Sequence, residues 1–191
     1  MISKCASKIV QRLIRTGVIG EDDRELYIYG FFVLLSYVFS FGITLIAGLL
    51  FSVPFESATL YIMFAILRGY AGGFHSKSEA RCSLYTVIAL SLSSLCIRLL
   101  YLVDKPFIAI VILCCGTALV VPLCPIDSQE KPLTSEEYLH YRMASYITLG
   151  IICLLGFGTF AFQEYGVLYA SALSVLLESI LLIMGKCNAN R

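Results

Sequence analysis

Residues 26–51, LYIYGFFVLLSYVFSFGITLIAGLLF, form a run of 26 residues without one charged side chain. A helix crosses the hydrocarbon core of a bilayer with about 20 residues, so this run is long enough to span a membrane. The whole chain has the same character: 59% of its 191 residues are hydrophobic, 14% are charged, and its mean hydropathy is +0.85. A soluble domain is about 45–50% apolar and about 25% charged. The sequence therefore predicts an all-α integral membrane protein.

Five more apolar segments follow the first, and we expect six transmembrane helices in all. The second segment is short for a full crossing, and Pro54 marks the start of its helix. Four full spans with two re-entrant pieces are the alternative. We expect one membrane-embedded domain over residues 1–191, with a helical bundle at 26–184 and loops at 68–82 and 124–142. The six segments are 26–51, 53–67, 82–103, 106–123, 144–162 and 167–184.

The first residues, 1–17, have apolar side chains every three or four positions and basic side chains between them. Lys8 and Arg12 interrupt the unbroken apolar core that a signal peptide needs. The pattern predicts an amphipathic helix in the membrane interface that ends near Gly17. A helix packed on its own protein is the alternative.

Basic residues are distributed unevenly between the two ends of the predicted spans. With six spans, twelve of the fourteen Lys and Arg residues lie on the side of both termini, whereas Lys105 stands alone in a loop on the other side. Cytoplasmic loops carry such an excess of positive charge. We therefore expect both termini and the loops 68–82 and 124–142 to face the cytosol.

The loop at 68–82, RGYAGGFHSKSEARC, contains a candidate nucleophile, Cys82, and a candidate general base, His75. A nearby imidazolium and a helix N-terminus both lower the pKa of a thiol, and Cys82 lies where the third span begins. On one continuous helix, seven residues separate two side chains by about 10.5 Å along the axis, which is too far for proton transfer. The chain must therefore bend, and Gly69, Gly72 and Gly73 allow a bend. An ordinary solvated loop is the alternative.

Arg68, Gly73, His75 and Cys82 in this loop resemble the signature of the accessory gene regulator B (AgrB) family. Residues 125–133, PIDSQEKPL, resemble the second cytoplasmic motif of that family. Length, amphipathic N-terminus and number of apolar segments also fit, so the resemblance covers most of the chain.

The resemblance implies a cysteine endopeptidase of the cell membrane of a Gram-positive bacterium, which processes the precursor of a quorum-sensing peptide. By the same resemblance, Cys82 is the nucleophile and His75 the base. The acyl-enzyme is a thioester, which a Cys or Ser of the precursor attacks to close a thiolactone or lactone ring. Arg68, Gly73 and Lys131 are the implied supporting or substrate-binding residues. The family also suggests a homodimer in the lipid bilayer.

Other assignments are weaker. Glu79 and Asp127 are candidates to orient His75. A small transporter would need charged residues in its spans, and the sequence offers Glu56, Arg98 and Glu178. A membrane protein that binds a peptide without cleaving it is a third class.

We expect no nucleic acid partner because no basic domain is present. No CxxC occurs, and we expect neither a metal nor a cofactor.

Overall fold

The computed structural model describes residues 2–73, 79–126 and 134–189, and 89% of these described residues are helical. Within these ranges the chain forms seven α-helices, one 3-10 turn at Glu21–Asp23 and no strand. The helices are α1 (Ile2–Arg15), α2 (Arg24–Leu50), α3 (Pro54–Ala71), α4 (Glu79–Val103), α5 (Pro106–Leu123), α6 (Ser135–Ala161) and α7 (Tyr165–Ala189).

Each of the six apolar segments forms one helix, so the prediction of an all-α membrane protein is confirmed. In the described part of the chain, five helices are long and apolar enough to cross a membrane, namely α2, α4, α5, α6 and α7. The helix of the short second segment, α3, has 18 residues and carries Glu56 in its first turn and Arg68 in its last. A count of six full spans stays a prediction.

The chain divides into two compact units, residues 1–43 and 44–191. In the first unit, α1 has the predicted amphipathic pattern: Ala6 and Val10 are buried, whereas Lys4 and Lys8 are exposed. The helix is followed by Gly17 with φ of 71°, a conformation in which glycine commonly ends a helix. A location of α1 in the membrane interface stays a prediction.

The second unit is built around α7, which contacts α3, α4, α5 and α6. Residues 168–175 of α7 are all buried, so these two turns of the helix are enclosed on every side. Glycines on two neighbouring helices allow the close approach: a Cβ at Gly116 would lie 3.0 Å from Val175 Cγ1, and one at Gly156 would lie 3.2 Å from Ser171 Cβ. Small residues at such crossings are the usual means of packing helices in a membrane.

Two side-chain hydrogen bonds fix α3 against α4. Ser57 Oγ donates to Ser94 Oγ at 2.9 Å, and the Tyr101 hydroxyl donates to Glu56 Oε1 at 2.7 Å. Both bonds join the first half of α3 to the second half of α4, so the two helices are antiparallel. The C-terminus of α3 and the N-terminus of α4 therefore lie at the same end of the bundle.

The start of α6 is a capping box, which the spacing of Thr134 and Glu137 in the sequence predicts. Thr134 Oγ1 accepts from the Glu137 backbone N–H, and the Glu137 carboxylate accepts from the Thr134 N–H at 2.9 Å. The box satisfies two backbone donors that a helix N-terminus otherwise leaves unpaired. It places the first turn of α6 directly after the polar segment that follows α5.

Candidate active site

The C-terminus of α3 leads into a turn made by two glycines. Gly72 has φ of 75° and Gly73 has φ of 121°, and the Gly72 N–H donates to the Arg68 carbonyl at 3.1 Å. Residues with a side chain rarely adopt positive φ, whereas glycine does so at little cost. The glycines therefore determine the direction in which the chain leaves α3.

This turn is joined to the segment that follows α5. Gly72 and Ile126 form an isolated parallel bridge, in which the Ile126 N–H donates to the Ala71 carbonyl at 3.0 Å. A Cβ at Gly72 would lie 2.5 Å from the Ile126 carbonyl oxygen. The two polar segments that carry the sequence motifs are thus in backbone contact at one end of the bundle.

Arg68 lies in the last turn of α3, and its side chain is 18% exposed. Its Nη1 donates to the Gly72 carbonyl oxygen at 3.1 Å and lies 3.8 Å from Glu178 Oε2. The side chain therefore connects the glycine turn to α7. In this geometry Arg68 holds the loop through the backbone carbonyl of Gly72. Substrate binding by Arg68 stays a prediction.

Glu178 is fully buried in α7 and forms an ion pair with Arg68. In the described residues, neither of its carboxylate oxygens has a hydrogen-bond partner. A charge within a membrane bundle is costly unless it is paired, and such residues commonly have a function. Sequence reasoning treated Glu178 only as a charge within a span. The available signal was a single carboxylate in an apolar helix, but nothing in the sequence identified its partner.

Gly73 lies between Arg68 and the backbone of α7. A Cβ at this position would lie 2.8 Å from Arg68 Nη1 and 3.4 Å from the Leu181 carbonyl oxygen. The structure thus brings two of the predicted residues, Arg68 and Gly73, into one cluster with Glu178. Glycine is needed here both for the positive φ and for the space that the guanidinium occupies.

Cys82 is the fourth described residue of α4 (Glu79–Val103), which includes three residues before the start that the sequence suggests. The partial positive charge of a helix N-terminus favours a thiolate. The other predicted residues of this region, His75, Lys131 and Asp127, lie outside the described residues, as do the side chains of Cys82 and Glu79.

A second thiol occurs near this end of the bundle. Cys124, the residue after α5, is 3% exposed, and its N–H donates to the Val120 carbonyl at 3.0 Å. Burial raises the pKa of the Cys124 thiol. A buried thiol of raised pKa is a poor nucleophile, so Cys124 is a poor candidate for a reactive cysteine.

Comparison with known proteins identifies the same family as the two sequence motifs. The family model described as accessory gene regulator B matches residues 4–182. The chain is 30% identical over 143 residues to the "Putative AgrB-like protein" of Clostridium perfringens strain SM101 / Type A. It is 29% identical over 143 residues to "Putative AgrB-like protein 2" of C. perfringens strain 13 / Type A. Each match covers 69% of this chain and 64% of the relative, so the chain spans less than two thirds of these relatives' length. No solved structure matches the chain.

Proposed function

Because the chain belongs to the accessory gene regulator B family, we propose that it is a membrane-embedded cysteine endopeptidase that processes the precursor of a quorum-sensing peptide. The observation that carries the proposal is the bond between Ile126 and Ala71. It joins the segment with the candidate nucleophile and base to the segment with the second motif. A catalytic site formed by both motifs requires this proximity.

In the first step, the Cys82 thiolate attacks the carbonyl carbon of a peptide bond in the precursor. His75 takes the thiol proton and later gives it to the leaving amine, as the C–N bond breaks. The C-terminal part of the precursor leaves, and the N-terminal part stays bound to Cys82 as a thioester. The location of Cys82 in the N-terminal part of α4 supports this role, because a helix N-terminus stabilises a thiolate.

In the second step, a Cys or Ser side chain of the bound peptide attacks the thioester carbonyl. The bond between that carbon and Cys82 Sγ breaks, a thiolactone or lactone ring closes, and the proton of the attacking thiol or hydroxyl passes through His75 to Cys82. Transfer from a thioester to a thiol is nearly balanced, whereas hydrolysis is irreversible. A site that excludes water therefore favours the ring over the linear acid.

Supporting residues complete the proposal. Arg68 and Gly73 shape the turn that precedes His75 in the chain, and Lys131 receives an acidic C-terminal part of the precursor by charge attraction. The excess of basic residues on one side supports a cytoplasmic site in a bacterial cell membrane. A homodimer in the bilayer belongs to the same proposal.

The test is cleavage of a co-expressed precursor, followed by mass spectrometry. Wild type should release the C-terminal fragment, and Cys82→Ser and His75→Ala should each lower the rate at least about a hundredfold. Cys187→Ser and His140→Ala are matched controls, because both residues are exposed on other helices. Normal cleavage by Cys82→Ser would exclude the mechanism.

The product distinguishes cyclisation from simple hydrolysis. A peptide with the mass of the precursor fragment less one water indicates a ring, and the linear acid is heavier by that water. The thioester intermediate should be seen as a peptide adduct on Cys82 and on no other cysteine. A linear acid as the main product of purified enzyme in lipid would contradict the second step.

A further inference from the structure

We propose that Glu178 is a positioning residue of this site: through Arg68, it fixes the Gly72–Gly73 turn at the end of α3. The inference rests on the proposed function, because the turn matters for catalysis only if the next residues along the chain carry the base. Glu178 itself is assigned no contact with substrate.

One nitrogen atom carries the connection. Arg68 Nη1 lies 3.8 Å from Glu178 Oε2 and donates to the Gly72 carbonyl oxygen at 3.1 Å. A Cβ at Gly73 would lie 2.8 Å from the same atom. The position of this one nitrogen is therefore coupled to α7, to the carbonyl of the first glycine and to the backbone of the second.

Glu178 provides the fixed end of the connection. It lies on α7, the enclosed helix at the centre of the second unit, and its side chain is completely buried. The arginine side chain, by contrast, is long and partly exposed. Without a buried carboxylate, the guanidinium of such a residue turns toward water and lipid headgroups. We therefore expect loss of the Glu178 charge to remove the bond from Arg68 to Gly72.

The effect on the reaction follows from the direction of the turn. His75 is two residues beyond Gly73 in the chain. A change in the conformation of the turn therefore displaces the backbone that carries the His75 side chain. A misplacement of about 1 Å costs about a hundredfold in rate. Because Glu178 is buried and assigned no contact with the peptide, kcat should fall and KM should stay close to that of the wild type.

The bundle offers a matched control. Glu56 is a second carboxylate on a helix that contacts α7, but it lies at the end of α3 opposite Arg68 and accepts a hydrogen bond from Tyr101. Glu56→Gln thus makes the same chemical change at a distance from the glycine turn. Glu178→Asp keeps the charge and shortens the side chain by one methylene, and it should retain more activity than Glu178→Gln.

The first experiment measures hydrogen exchange of the full chain in lipid nanodiscs. In Glu178→Gln, amides of peptides that cover residues 69–73 and Ile126 should exchange at least about tenfold faster, while those in the middle of α3 stay as in the wild type. Glu56→Gln should leave exchange at the turn unchanged. Unchanged exchange in Glu178→Gln overturns the inference whether or not the protein cleaves a peptide.

The second experiment measures cleavage kinetics for Arg68→Met, Glu178→Gln and the double variant. Since Glu178 acts through Arg68, the double variant should be no slower than Arg68→Met, and each should lose about tenfold to a hundredfold in kcat at constant KM. The inference would be overturned if the fold losses in kcat of the two single variants multiplied in the double variant. It would also be overturned if Glu178→Gln had the kcat of the wild type.

The two experiments separate failure of the inference from failure of the proposed function. If wild type does not cleave, or Cys82→Ser cleaves normally, the proposed function fails and the catalytic part of the inference fails with it. Hydrogen exchange still decides whether Glu178 holds the turn. If wild type cleaves in the proposed way but Glu178→Gln is indistinguishable from it, the inference alone fails.

Discussion

The amide N–H of Ile126 donates to the carbonyl oxygen of Ala71 at 3.0 Å, so the residue that ends α3 and the segment after α5 share a backbone hydrogen bond. The bond lies beside a turn that only glycine can make with little strain. It also lies one residue from the carbonyl that Arg68 holds. Changes at this one point therefore affect both polar segments together.

Gly72→Ala should disrupt this junction. Its positive φ costs a residue with a side chain about 1–3 kcal/mol, and the new Cβ would lie 2.5 Å from the Ile126 carbonyl oxygen. We expect lower thermal stability in detergent and slower peptide cleavage. Gly69→Ala is the control, because Gly69 lies within α3 with open space around it. An alanine there should stabilise the helix by about 0.5–1 kcal/mol, and equal melting temperatures for the two variants would contradict the expectation.

Gly156→Val should weaken the packing of α6 on α7. The added Cβ would lie 3.2 Å from Leu113 Cδ2 and from Ser171 Cβ, and excess volume in a packed interior costs about 1–3 kcal/mol. Gly150→Val makes the same change on the same helix, where nothing lies within 4 Å of the new atom. Unfolding in a denaturing detergent should distinguish them, with the first variant unfolding at lower detergent fraction. The idea fails if Gly150→Val is the less stable of the two.

Tyr101→Phe removes the hydroxyl that donates to Glu56 Oε1 at 2.7 Å and leaves the aromatic ring in place. A hydrogen bond to a charged group contributes about 1.5–3 kcal/mol, so the variant should melt at a lower temperature. Catalysis should be unaffected below that temperature, because the bond lies at the end of the bundle opposite the glycine turn. Tyr85→Phe, at an exposed position of the same helix, is the control and should melt like the wild type.

Cys124 should react slowly with thiol reagents. It is buried, and burial raises the pKa of its thiol, so less of it is thiolate at a given pH than for an exposed cysteine. Mass spectrometry after N-ethylmaleimide treatment at pH 8 should show Cys5 modified at least about tenfold faster. The Cys124 rate should continue to rise with pH above about 8.5, the pKa of an unperturbed thiol. Equal rates in the folded protein would show that Cys124 is accessible; in denatured protein the two should converge.

The helices were largely predictable because their signals are local. Apolar runs identified six of them, and the capping box at Thr134 marked the start of α6. Their ends were less predictable: α4 already includes Glu79, ahead of Cys82, and α7 continues to Ala189, beyond Met184. Hydropathy marks where a helix meets lipid, but the backbone hydrogen bonds continue into the polar residues on either side.

The candidate site was only partly predictable. The types and spacing of His75 and Cys82 indicated nucleophilic chemistry, and Gly73 indicated a bend. The role of Glu178 was missed, because a carboxylate in an apolar helix says that a partner exists without saying which residue it is.

The sequence by itself determined an all-helical membrane protein, the positions of the helices and a glycine turn beside a histidine and a cysteine. Only the tertiary structure decided that Arg68 pairs with Glu178 and that Ala71 bonds to Ile126. Hydropathy, capping and glycine conformation act within a few residues along the chain. The two pairings instead depend on how α3, α5 and α7 pack, and helix packing is set by side chains that are distant in sequence.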